Sequence, residues 1–185
     1  EPLSETTDFG SLVRLSQGGV VLPGLATLVA PTQVTFVPAA PLPINASLSV
    51  LINGARDLTG NVQTVPFSSS FKTLDTIAPL LTMSAPPPLG WTTNRRPLIS
   101  IGLADALSGV EPLTGVLLLD GASTTPNRTA TSMTFTPAFD LADGQHTVVA
   151  SVQDKARNPG TLNAAFGVDA TAPSAAQITS GVSPG

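Results

Sequence analysis

The residues able to do chemistry are few, and most of them are aspartates. Two segments of the same cast stand out, Asp57-Leu58-Thr59-Gly60-Asn61 and Asp154-Lys155-Ala156-Arg157-Asn158. A carboxylate in such a place has two uses. It can accept backbone N–H groups and close an Asx turn, with a glycine supplying φ > 0. It can also serve as an oxygen ligand for calcium, which takes six to eight oxygens from carboxylates and loop carbonyls. The turn asks less of the sequence.

Other chemistry is excluded by what is missing. There is no Gly-x-Ser-x-Gly elbow, no phosphate-binding loop, no His-Glu-x-x-His and no cysteine nucleophile. His146 is the only histidine, so a histidine-rich metal site cannot be built. It begins a strand after Asp143-Gly144-Gln145, where sandwich domains often place a corner tyrosine, and a satisfied structural imidazole is expected there. The equivalent place in the first half holds Leu48. Trp91, the only tryptophan, follows Pro86-Pro87-Pro88-Leu89-Gly90. It reads either as a ring covering that loop, the expected role, or as an exposed aromatic platform for a sugar. The chain is therefore expected not to be an enzyme.

The elements that position these residues recur. Val34-Thr35-Phe36-Val37-Pro38-Ala39 returns as Met133-Thr134-Phe135-Thr136-Pro137-Ala138, about 99 residues on, and self-similarity at that period signals tandem copies of one small domain. Each copy runs on through a leucine (Leu42, Leu141) and an alternating strand to its aspartate. Asp75-Thr76-Ile77-Ala78-Pro79 is echoed by Asp169-Ala170-Thr171-Ala172-Pro173.

Period-2 alternation predicts short strands throughout. In the first copy Val34 and Phe36 share a face, as do Leu48, Val50 and Ile52, and Phe67 and Phe71. In the second, the inward sets read Ile99, Ile101 and Leu103; Val116 and Leu118; Met133 and Phe135; Val148, Ala150 and Val152; Phe166 and Val168. Asn45, Asn53-Gly54, Gly60-Asn61, Ser108-Gly109, Asp120-Gly121 and Asp143-Gly144 punctuate them as turns. No window sustains a helical period free of Pro and Gly. The expectation is all-β, built as sandwiches.

Composition narrows the partners. The chain has 185 residues, a net charge of −4 and only 11% charged residues, with Arg95-Arg96 the one basic doublet. No basic stripe exists to displace counterions from nucleic acid. Val20 to Ala30 is the longest apolar stretch; Pro23 and Gly24 break it, and it is too short to span a bilayer. With no cysteine there are no disulfides, and any leader peptide is expected upstream of Glu1 or already removed.

These motifs carry a resemblance. Asp105-Ala106-Leu107-Ser108-Gly109-Val110, Leu117-Leu118-Leu119-Asp120-Gly121, Phe135-Thr136-Pro137, Leu141-Ala142-Asp143-Gly144-Gln145-His146, Asp154 to Asn158 and Val168 to Pro173 resemble the immunoglobulin-like repeats of bacterial surface proteins and adhesins. Phe36 to Leu42, Arg56 to Asn61 and Phe71-Lys72-Thr73 resemble the related type found in surface-layer proteins. The resemblance implies two tandem immunoglobulin-like β-sandwiches. Residues 1–74 would be a partial domain and 75–170 a second domain, with 171–185 a linker or the start of a further repeat. Against the second copy, the first is short by about 24 residues, two strands and their connection. The first sandwich is thus expected to lack its N-terminal strands and expose an edge, as a fragment would.

Arg157 stands where the family has glycine. If that place needs φ > 0, a side chain costs about 1 kcal/mol, and the loop is expected to be rebuilt. The resemblance also gives the calcium reading its geometry. Loops at one end of such a sandwich would bring Asp75 of the linker, Asp105 or Glu111, and Asp154 with Asn158 together near a domain junction. No other cofactor is implied.

The function implied is a non-catalytic structural or adhesive module of a large secreted or surface-anchored bacterial protein, a spacer or stalk. The alternative is an accessory spacer or carbohydrate-binding pair in a secreted polysaccharide-acting enzyme. Its partners would be neighbouring repeats of the same chain and a cell-surface protein or glycan. Asn45-Ala46-Ser47 and Asn127-Arg128-Thr129 fit the N-glycosylation pattern, which matters only in a eukaryotic secretory setting.

Overall fold

A computed structural model describes residues 1–174, and they form two compact units meeting at Thr76 and Ile77. Part of the 171–185 linker expectation falls on residues 175–185, outside the described residues.

The second unit is a two-layer sandwich. Its strands are β7 (Leu80–Ala85), β8 (Trp91–Thr92), β9 (Ile99–Ala104), β10 (Val110–Leu119), β11 (Ala122–Ser123), β12 (Asn127–Arg128), β13 (Ser132–Phe135), β14 (Gly144–Asp154) and β15 (Pro159–Val168). One sheet runs β11-β10-β14-β15-β8 and the other β12-β13-β9-β7. All pairs are antiparallel except β8 with β15. This is the strand arrangement of an immunoglobulin-like sandwich. The longest ladder joins β14 to β15 over ten consecutive pairs, Gly144↔Val168 to Gln153↔Pro159.

Alternation drives this fold as it should. Ile99, Ile101, Leu103, Met133, Val148, Ala150, Val152, Phe166 and Val168 all lie in one buried cluster. One register differs from the expectation. On β10 the inward residues are Leu117 and Leu119, while Val116 is exposed and Leu118 only half-buried. The ladder to β14 is interrupted between Glu111 and Val116, where β10 advances five residues against two on β14, and the odd excess of three turns every later side chain to the opposite face. Four consecutive apolar residues, Val116 to Leu119, left the alternation without a sign.

The first unit contains a helical turn, α1 (Phe9–Leu12), and strands β1 (Val13–Gln17), β2 (Val20–Leu22), β3 (Gly24–Ala30), β4 (Gln33–Pro38), β5 (Ser47–Ile52) and β6 (Phe67–Lys72). Its sheets are β2-β1-β5-β6 and the ribbon β3-β4. The pairs β1–β2, β1–β5, β5–β6 and β3–β4 repeat the pairs β10–β11, β10–β14, β14–β15 and β12–β13. Counterparts of β7, β8 and β9 are absent among the described residues, as the shortened first copy implied.

The consequence is visible in the burial. In the second unit Ile99 and Ile101 pair with Phe135 and Met133 and close the core. In the first unit the buried cluster is Leu15, Ala46 and Leu48, with Leu22, Phe36, Leu42 and Val50 packed against it. Phe67 and Phe71 pair with Ile52 and Leu48 and so face the same side, yet they are 55% and 44% exposed.

Candidate metal centre and the ends of the second unit

The two aspartate segments fold identically. Asp57 Oδ1 accepts from Asn61 N at 2.8 Å, and Asp57 Oδ2 accepts from Asn61 Nδ2 at 2.6 Å. Asp154 receives the same pair of bonds from Asn158, at 2.8 and 2.7 Å. Both are Asx turns. The Asn61 amide, opposed by burial and helped by Thr59, holds the Asp57 carboxyl down at about 2. Arg157 keeps φ at +73° where Gly60 has +92°. The loop is not rebuilt; it carries the strained residue instead.

Of the four residues expected around a cation, Asp105, Asp154 and Asn158 lie in the second unit, and Asp75 belongs to the last residues of the first. Asp105 and Asp154 each offer an oxygen, and these lie within 4.8 Å of one another. Asp75 is 4% exposed and Asp154 1%, while Asp105 is half-buried. Asp105 Oδ1 also accepts from Gly109 N at 2.6 Å and Leu107 N at 3.2 Å, which fixes its loop. Asn158 serves as an orienting residue: its Nδ2 faces Asp154 and donates to Ile77 O at 3.4 Å. Glu111 is not in the group.

The donor set fits calcium in kind and in size. Hard carboxylate oxygens suit it, and bonds of 2.3–2.6 Å allow two ligands on opposite sides to stand about 5 Å apart. Two carboxylates bound through one oxygen each fall short of six ligands, so carbonyls, water or bidentate contacts would supply the rest.

The opposite end of the second unit holds the other polar contacts. His146 is 8% exposed; Nε2 stands 2.9 Å from Ala142 O and Nδ1 2.7 Å from Asp120 Oδ2. The contact back to Ala142 is the one a corner tyrosine would make. Burial works against its charge, but the bonds to Asp120 and Ala142 prevail and raise its pKa above the usual value. Burial likewise opposes ionisation of Asp120, and the bonds from His146 and Thr147 overcome it and lower its pKa. Nearby, Asp143 accepts from Ala170 N at 3.1 Å and from the Thr171 hydroxyl, and pairs with Arg95 at 2.8 Å. Thr171 first, then Ala170, hold the Asp143 carboxyl below its usual range. These contacts fasten the chain where it leaves the sandwich. Sequence reasoning marked Asp120 and Asp143 only as turn residues; nothing local distinguishes a turn aspartate that also holds a distant group.

Trp91 does not cover its loop. It is 59% exposed and stands beside Gly167, to which β8 is paired.

No family model matches the chain, and no curated protein matches it. Among solved structures it is similar to fibronectin(III)-like modules of Clostridium thermocellum CbhA, at 14% identity and a TM-score of 0.40, covering 90% of this chain and 81% of that one. It is also similar to SGBP-B of the Bacteroides ovatus mixed-linkage glucan utilization locus, in complex with a mixed-linkage heptasaccharide. There the identity is 14% and the TM-score 0.26, over 90% of this chain and 40% of that one.

Proposed function

We propose that this chain is a non-catalytic structural module of a large secreted or cell-surface bacterial protein, acting as a spacer or stalk. One observation carries the reading: the second unit takes in its chain at one end and releases it at the other. On the incoming side, Pro79 O lies against Gly160, at the start of β15. On the outgoing side, Asp169 N donates to Thr92 O at 3.0 Å, just past the end of β15. The two places are separated by the length of that strand, about 30 Å at 3.3 Å per residue. A unit of this kind adds length with every copy, and load along the chain runs parallel to the ten-pair ladder of β14 and β15.

The polar groups support the same reading. Asp57, Asp120, Asp143 and Asp154 each hold a turn or a chain segment in place. Within this proposal Asp105 and Asp154 take up calcium and stiffen their end of the second unit.

Pulling the full chain by its ends in a single-molecule instrument tests the reading. The second unit should open in one discrete step releasing about 30 nm, the extended length of roughly 95 residues less the folded span. Smooth extension without a step contradicts a load-bearing role.

A further inference from the structure

On the outer face of the five-stranded sheet three residues stand in one row. Gln145 pairs with Gly167, and Gly167 pairs with Trp91. Their neighbours His146, Phe166 and Val168 are buried, so the row itself projects outward, since successive residues of a strand alternate faces.

Gly167 explains how the indole lies. A Cβ there would overlap Cδ2, Cε3 and Cε2 of Trp91 together, so the ring presents its face to the backbone of β15. The opposite face is open to solvent. The backbone that carries the ring is also held on both sides of it. Leu89 N donates to Ala165 O at 2.7 Å, Gly167 N to Gly90 O at 2.8 Å, and Asp169 N to Thr92 O at 3.0 Å. A large aromatic surface fixed in an exposed position is prepared for a partner, because its ordering cost is met on folding.

We propose that this row is a binding platform for a neutral polysaccharide of pyranose units, with Trp91 as its stacking surface. The axial C–H groups of an equatorially substituted pyranose form a flat, weakly positive face that matches the negative face of the indole. Equatorial hydroxyls then project sideways and need hydrogen-bonding groups beside the ring. Gln145 supplies one such group, two strands away and hence about 10 Å along the row, roughly the length of a disaccharide. Asn163, exposed on the same face of β15, supplies a second amide. Each amide both donates and accepts, as a hydroxyl requires.

The sugar is a neutral one because the row has no ionised side chain. Of the ionised groups beside it, Arg95 and Asp143 are paired with each other at 2.8 Å, and the exposed Asp169 just past β15 would repel an acidic sugar. The platform does not depend on the spacer reading; a stalk and a glycan-holding accessory module could equally carry it.

Trp91 is the chain's only tryptophan, so its emission reports directly on the site. The full chain is titrated with cellohexaose, xylohexaose and laminarihexaose, and with polygalacturonate as the acidic comparison. At least one neutral oligosaccharide should change the Trp91 emission saturably. Gln145→Ala should weaken that binding several-fold with an unchanged melting temperature. Trp91→Ala, followed by retention on insoluble polysaccharide, should weaken it about tenfold or more. Silence toward every neutral sugar overturns the proposal, as does preference for polygalacturonate or retention that survives Trp91→Ala.

Discussion

His146 Nδ1 stands 2.7 Å from Asp120 Oδ2, and the residue that caps the β10–β11 turn thereby holds the start of β14. Both acceptors around the ring, Asp120 Oδ2 and Ala142 O, are satisfied together only when both ring nitrogens carry protons. The imidazolium is therefore the form that fits. Its raised pKa gives stability that is complete below the ordinary value of 6.5 and lost as pH rises through the folded value. The lowered pKa of Asp120 gives stability present above 3.8 and lost as pH falls through its folded value. The melting temperature of the second unit should thus be highest between about pH 4 and 6.5 and decline above that range. His146→Gln should flatten the alkaline side. A level curve from pH 6 to 9 in the unsubstituted chain contradicts the assignment.

Arg157 offers a simple stability test. It holds φ at +73° in a turn whose hydrogen bonds match those of the first copy, where Gly60 has the position. Relief of the left-handed strain, less the added freedom of glycine in the unfolded chain, leaves about 0.5–1 kcal/mol in favour of Arg157→Gly. Denaturant unfolding should show that gain. A loss would mean that the arginine side chain makes a contact worth more than the strain.

The strands of the second unit were legible because their apolar residues alternate without ambiguity, as in Ile99-Ser100-Ile101-Gly102-Leu103. Alternation failed at Val116 to Leu119, where both faces are apolar and an upstream irregularity chooses between them. It also could not say whether Trp91 would be covered, since that depends on which residue of β15 lies beneath it. The internal repeat made the absence of β7–β9 counterparts readable by subtraction. The paired turns were readable for a different reason: an aspartate followed four residues later by asparagine contains all its own hydrogen-bond partners. The link from Asp120 to His146 was not, because it joins positions 26 apart with no shared pattern.

Asp105 and Asp154 give opposite signs with and without calcium. Asp105→Asn keeps the acceptor for Gly109 N and removes one of two neighbouring carboxylates. Without calcium it should leave the melting temperature unchanged or higher, as repulsion falls. With millimolar calcium the unsubstituted chain should gain stability, by about 2.7 kcal/mol at a hundredfold excess over Kd, and the variant should not. If calcium and a chelator give the same melting temperature in the unsubstituted chain, no cation binds there.

Gly160 lies against the incoming chain. A Cβ at this position would overlap Pro79 O, a backbone atom, and crowd the Leu81 side chain. Gly160→Ala should therefore destabilise the second unit by about 1–3 kcal/mol, the usual scale of forced overpacking. Calorimetry on the full chain checks this, and an unchanged transition would mean that the lead-in segment is not packed on β15.

The central claim is that the second unit separates the ends of its chain by a strand's length. The chain has no cysteine, so Ala78→Cys and Ala170→Cys, both at exposed positions, place a unique pair of spin labels on the incoming and outgoing segments. Double electron–electron resonance should give one distance near 30 Å, set by the span of β15. A distance below about 20 Å would place both ends on the same side of the sandwich and contradict the account.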